Sequence, residues 1–129
     1  MRNDDIFDKV GKDGEDNLKA WSRLPNCLKY FIRSQQNLLL DKVTRKVCEL
    51  YGEDGIKSLL KTSGFRSIQT NNRNGGVADS LHLFGCATDF AKIGIFKDIP
   101  IPTCCDLECI DSGKCWHIQF KRPNQGELF

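Results

Sequence analysis

At 129 residues the chain holds one ordinary domain and is too short for two. With 40% hydrophobic and 28% charged residues it reads as a globular protein able to bury a core. Its 19 basic and 17 acidic residues leave a net charge of +2, so no strong field points to nucleic acid or an anionic membrane, and no run of about 18 apolar residues is present to span a bilayer.

Residues 1–17 carry Asp4, Asp5, Asp8, Asp13, Glu15 and Asp16 together with Gly11 and Gly14, and are expected to form a flexible polar leader. They lack the apolar stretch of a secretory signal, which predicts synthesis in the cytoplasm, with release to the exterior left to another factor. From Asn17 to Ser34, Pro25 divides an apolar pattern into two short helices. Gln36 to Tyr51 predicts a longer helix, with Leu39, Val43, Val47 and Leu50 in one apolar stripe and Gly52 as its stop. The basic residues Lys42, Arg45 and Lys46 lie off that stripe and read as a solvated face rather than a phosphate-binding one.

Ile56 to Thr62 predicts a helix or strand entering a turn at Ser63–Ser67, and Thr70 to Asp79 a polar loop. Cys86 to Ile93 alternates as a strand does. A hairpin is expected from Cys105–Asp111 and Cys115–Phe120 around Ser112-Gly113-Lys114, and a polar tail closes the chain at 122–129. In the last strand Trp116, Ile118 and Phe120 face one way, and Cys115, His117 and Gln119 the other. Helices first and short strands later predict an α+β domain over 18–121, a small antiparallel sheet packed on N-terminal helices.

The seven cysteines are odd in number and read as free thiols of a reducing compartment. Cys104, Cys105, Cys109 and Cys115 cluster late in the chain but do not form the paired C-x-x-C knuckles of a zinc-thiolate site. Taken singly, His82 and His117 each read as hydrogen-bonded structural groups, and Asp89 as a turn or cap residue.

Together these residues match a pattern. Ser80-Leu81-His82-Leu83-Phe84-Gly85-Cys86-Ala87-Thr88-Asp89 resembles the Ser-x-His-x-x-Gly-x-Ala-x-Asp signature of the zinc D-alanyl-D-alanine carboxypeptidase family, whose fold is shared by the hedgehog signalling domain. Ser63-Gly64-Phe65-Arg66-Ser67 is similar to that family's Ser-Gly-(Tyr/Phe)-Arg-Ser segment. Asn72 to Gly76 and Trp116-His117-Ile118 resemble two further segments, in the right order from about Asn37 to Phe120. The resemblance implies one zinc ion held by His82, Asp89 and His117. Two imidazoles and a carboxylate suit zinc and leave a fourth position open, where zinc polarises water and carbonyl groups.

The resemblance also implies Arg66 as a catalytic and substrate-binding clamp on a carboxylate or carbonyl, and Ser80 as a residue that contacts substrate or orients the loop. The family's general base sits just before the last histidine. Three residues before it, as in the carboxypeptidases, stands Lys114, which cannot serve; six before it, as in hedgehog-like members, stands Asp111. If Asp111 and Cys115 close the turn, Asp111 shares a face with His117 and Glu108 lies opposite unless a bulge intervenes, which makes Asp111 the expected base. The implied activity is zinc-dependent hydrolysis of D-amino-acid-containing peptide bonds of bacterial peptidoglycan, as in a phage-type muramoyl peptidase. The alternative is an inactive, zinc-stabilised binding or structural module of the same fold.

Overall fold

The structure is a computed structural model, and it describes residues 1–78 and 80–122. The polar tail, beyond Arg122, and Asp79 lie outside the described residues. Helix α1 spans Gly11–Arg23 and α2 Asn26–Lys57, with Pro25 capping the second as its position predicts. Strand β1 (Lys61–Ser63), helix α3 (Ile68–Arg73), strand β2 (Ala87–Ala91) and the hairpin β3 (Leu107–Asp111) and β4 (Cys115–Phe120) follow. The strands form one antiparallel sheet in the order β1-β2-β4-β3. The domain is α+β, as expected, and no helix among the described residues is long and apolar enough to cross a membrane.

Helix α2 is longer than its sequence pattern predicts, because the second short helix and the long one are continuous. Its buried stripe is Ile32, Gln36, Leu39, Val43 and Val47, a spacing of three and four residues that keeps one face on the sheet. Leu50, expected on that stripe, is exposed. Gly52 breaks the helical path with φ 63°, and one further turn runs on to Lys57. Leu39, Val43 and Val47 pack with Phe90, Phe96, Leu107, Trp116 and Ile118 into the main core. Trp116 satisfies its indole there by donating to the Phe96 carbonyl at 2.7 Å.

The first ten residues, within the stretch 1–17 expected as a flexible leader, pack against the domain. Phe7 is buried with Phe65 and Ile32, and Trp21 packs alongside. Backbone and polar groups tie the segment down: the Asn3 amide donates to the Leu59 carbonyl at 2.9 Å and accepts from the Lys61 N–H at 2.8 Å, and Phe65 N–H donates to the Ile6 carbonyl at 2.8 Å. The acidic residues between these anchors stay at the surface, while the buried ring and these hydrogen bonds hold the stretch on the domain. Helix α1 begins within the presumed leader and is secured by the buried Asn17, which donates to the Asp8 carbonyl and accepts from Ser67 N–H.

Beneath the sheet lies a buried polar joint. Gln36 donates to the carbonyls of Gly85 (2.5 Å) and Ala87 (2.9 Å), and accepts from Lys61 Nζ (2.7 Å) and the Thr88 hydroxyl (3.3 Å). Every bond is needed, because an unpaired polar group at this depth would cost more than the bond itself contributes. The joint fixes the entry to β2 against α2.

Candidate metal centre and cleft

Strand β2 carries Asp89 in the middle of the sheet, paired directly with His117 of β4. Phe90 and Thr88 face the helices, so alternation turns Asp89 to the opposite side with His117. His82 arrives on a single 3₁₀ turn, Leu81–Phe84, capped by the Ser80 hydroxyl, which accepts from His82 N–H at 3.3 Å. The turn ends at Gly85 with φ 72°, where a Cβ would lie 2.7 Å from the Ile32 side chain. Only glycine both adopts this conformation cheaply and lets the turn press onto α2. The motif spacing from His82 to Asp89 is thus the length of one turn plus the entry to one strand.

The three side chains converge. His82 Nε2 lies 3.2 Å from Asp89 Oδ1 and 3.2 Å from His117 Nδ1, and His117 Nδ1 lies 3.0 Å from Asp89 Oδ1. Among the described residues this is the one group of three or more His, Cys, Asp or Glu side chains whose ligand atoms gather within 4.8 Å. The far nitrogen of each ring is already engaged, His82 Nδ1 with the Gly64 carbonyl (2.8 Å) and His117 Nε2 with Gln119 Oε1 (2.8 Å). One nitrogen of each ring and one carboxylate oxygen are thus left facing a common space, a donor set suited to a cation. The spacings match the edges of a tetrahedron with zinc–ligand bonds of about 2.0 Å, which are about 3.3 Å. The residues therefore fit a bound zinc ion.

Electrostatics point the same way. Burial works to raise the Asp89 carboxyl, but bonds with His117 and His82 and the Arg66 charge outweigh it and hold it well below the usual carboxylate range. Burial pushes the His82 imidazole below its ordinary value, against the pull of Asp89. His117 also feels burial, yet its bonds with Asp89 and Gln119 leave it above its ordinary value.

A cleft of about 650 Å³ opens beside Asp89 and His117, lined also by Arg66, Arg73, Lys114, Asp8 and Asp13. Arg66, with a side chain 11% exposed, donates from Nη2 to Asp89 Oδ2 at 2.8 Å and from Nε to the Ser63 hydroxyl at 2.9 Å. It lies beside the His82, Asp89 and His117 group and fixes the Asp89 carboxylate. Ser80 is buried and outside the cleft lining; its hydroxyl serves the loop that carries His82.

The hairpin register differs from the expected one by a residue. Asp111 pairs with Trp116, Ile110 with His117 and Glu108 with Gln119. Burial of Leu107 in the core sets the faces of β3 and places Glu108 and Ile110 on the His117 side. Asp111 falls on the other side, where Lys92 Nζ donates to it at 2.6 Å while lying over the Trp116 ring, and its carboxylate also accepts from the Gly113 N–H. Lys92 and that N–H hold the Asp111 carboxyl below its ordinary value. Glu108 shares the His117 side without any bulge.

Elsewhere Lys42, Arg45 and Lys46 of α2 each meet an acid: Lys42 with Asp106, Arg45 with Asp41 and Lys46 with Glu49. All seven cysteines are unpaired thiols, and the late cluster does not converge as a metal site. Sequence reasoning placed Gln119 on the His117 face but missed its bond to the ring, for which the two-residue spacing was the available signal.

A largely buried His-Asp-His set at the edge of a cleft, carried by a small α+β domain, is an arrangement able to hold a metal ion. Residues 21–111 match the Peptidase M15 family, and the chain belongs to it. The matched segment contains Arg66, Ser80, His82 and Asp89 and ends before His117, which the structure supplies to the site from β4. Neither a curated protein nor a solved structure matches the chain.

Proposed function

We propose that the protein is a zinc-dependent peptidase that hydrolyses D-amino-acid-containing peptide bonds of bacterial peptidoglycan. The observation that carries this reading is the convergence of His82 Nε2, Asp89 Oδ1 and His117 Nδ1 beside a cleft that Arg66 lines. The likeness of the Ser80–Asp89 segment to the D-alanyl-D-alanine carboxypeptidase signature supports the substrate. Zinc held by these three residues supplies Lewis acidity toward water and a peptide carbonyl.

The chain's own groups do the rest. Asp89 is fixed through Arg66, which commits Nε and one Nη2 hydrogen to Ser63 and Asp89. The remaining guanidinium hydrogens are available to a substrate carboxylate or carbonyl, the paired geometry that arginine favours. A general base must take a proton from the attacking water. In the cleft Asp89 is a ligand, and Asp13 is held by Arg73 and Asn74. Asp8 lines the same cleft, and among the described residues its carboxylate accepts the Val10 N–H at 3.0 Å and pairs with no cation. The proposal therefore gives the base to Asp8 rather than to Asp111, which is tied to Lys92 behind the hairpin.

A second reading, a zinc-stabilised module without catalysis, is favoured by Lys114, which lines the cleft at the place where carboxypeptidases keep a carboxylate. Purified peptidoglycan incubated with the protein, with and without chelator, separates the two. Release of soluble peptide that stops with chelator supports the peptidase. No release by a zinc-loaded protein establishes the module. Asp8→Asn is expected to lower the rate roughly 10²–10⁴-fold, and Asp111→Asn to leave it near the parent value. The reverse outcome returns the base to Asp111.

A further inference from the structure

We infer that Gln119 and Glu108 are positioning residues that set the tautomer and aim of His117. The inference rests on the reading of His82, Asp89 and His117 as the metal ligands. An imidazole can bind metal through one nitrogen only if the proton sits on the other. For His117 the inward nitrogen is Nδ1, 3.0 Å from Asp89 Oδ1, so the proton must reside on Nε2.

The bonds beyond the ring enforce this. His117 Nε2 lies 2.8 Å from Gln119 Oε1, and an amide oxygen only accepts. An amide can be turned either way on its own, so the argument needs a second anchor. Glu108 provides it: Gln119 Nε2 lies 2.6 Å from Glu108 Oε1, and a carboxylate likewise only accepts. The amide nitrogen must face Glu108, its oxygen must face the imidazole, and the imidazole must donate from Nε2. The chain of donors has one direction, from His117 to Gln119 to Glu108.

The sheet keeps these groups in reach, because Ala87, Gln119 and Glu108 form the row of paired residues next to Asp89, His117 and Ile110. Glu108 and Gln119 lie outside the cleft lining, so they act through the ring and not on substrate. His82 solves the same problem with a backbone acceptor, the Gly64 carbonyl at 2.8 Å from Nδ1. The two ligand histidines thus carry opposite tautomers, one fixed by main chain and the other by a side-chain pair. Partners of this kind are worth roughly 10–100-fold in metal affinity.

The test uses the full chain, with zinc alone as the probe. Nitrogen-15 and imidazole-proton spectra of the zinc-loaded protein read whether His117 Nε2 carries a proton held back from solvent exchange. Zinc titration against a competing chelator reads the affinity. The parent should show His117 protonated on Nε2. Gln119→Leu should lose that signature and bind zinc roughly 10–100-fold more weakly. Glu108→Ala should move both readouts in the same direction and serves if Gln119→Leu fails to fold. Glu108→Gln, which can still offer an oxygen to the Gln119 amide, should restore both. A parent that shows the opposite tautomer, or variants that keep the parent tautomer and zinc affinity, would overturn the inference. A parent that binds no zinc would sink the proposed function, whereas a zinc-binding parent whose His117 Nε2 carries no such proton would sink this inference alone.

Discussion

Lys61 offers a test of the joint that holds the site together. Its side chain is among the largest fully buried ones, 2% exposed, and its ammonium donates to the Asp5 carbonyl (2.5 Å) and Gln36 Oε1 (2.7 Å). Burial lowers its pKa from 10.5 to about 8, against the pull of Asp5 and Asp4. At about 1.4 kcal/mol for each tenfold change in proton affinity, that fall is worth about 3 kcal/mol. Below about pH 8 the lysine is charged in both states and the folded chain bears the full cost. Between about 8 and 10.5 the unfolded chain holds more protons, so this group makes stability rise with pH. The thiols of Cys86, Cys104, Cys109 and Cys115, which burial raises, act in the opposite sense, because the unfolded chain releases those protons first. The informative quantity is therefore the stability difference between the parent and Lys61→Met, from urea unfolding at a series of pH values. That difference should move in favour of the parent by about 3 kcal/mol as pH rises through the lysine range. A difference that stays flat or falls would refute the reading of Lys61 as a buried, charged tie.

Two further outcomes follow from the site. Because His117 is held above its ordinary value, protons should compete with zinc from a higher pH than for a free imidazole, so zinc affinity should fall as pH drops through that range; chelator competition at several pH values checks it. Arg66→Met removes the cation from a buried carboxylate and should destabilise the metal-free protein by about 3 kcal/mol, with much of the loss restored by zinc; thermal unfolding with and without metal measures both.

The part of the site most legible from sequence was the part made of local geometry. His82 and Asp89 are joined by one turn and one strand entry, so their spacing in the chain is close to their spacing in the fold, and Gly85 marks where the turn must tighten. His117 was legible because Trp116 and Ile118 fix the face of β4 by their apolar character. The register of β3 against it was not, since one residue more or less in the turn at Ser112–Lys114 exchanges Asp111 for Glu108, and the burial of Leu107 that decides the matter is a tertiary effect. The N-terminal segment misled for a related reason: its acidic residues describe a surface, and one buried ring, Phe7, with a few backbone bonds orders it. Lys61 and Gln36 were hidden because a lysine in a strand and a glutamine in an apolar stripe ordinarily mark the solvent side, and their mutual bond, with those to Asp5, Gly85, Ala87 and Thr88, allows both to be buried.

The measurement that bears most directly on the account is the metal content of the purified chain. Elemental analysis of protein prepared without chelator should find close to one zinc per chain, and the His82→Ala and His117→Ala variants, folded by circular dichroism, should carry none. A folded parent that holds no metal, and takes up none when zinc is added, would contradict the assignment of His82, Asp89 and His117 as a metal site and the peptidase mechanism built on it.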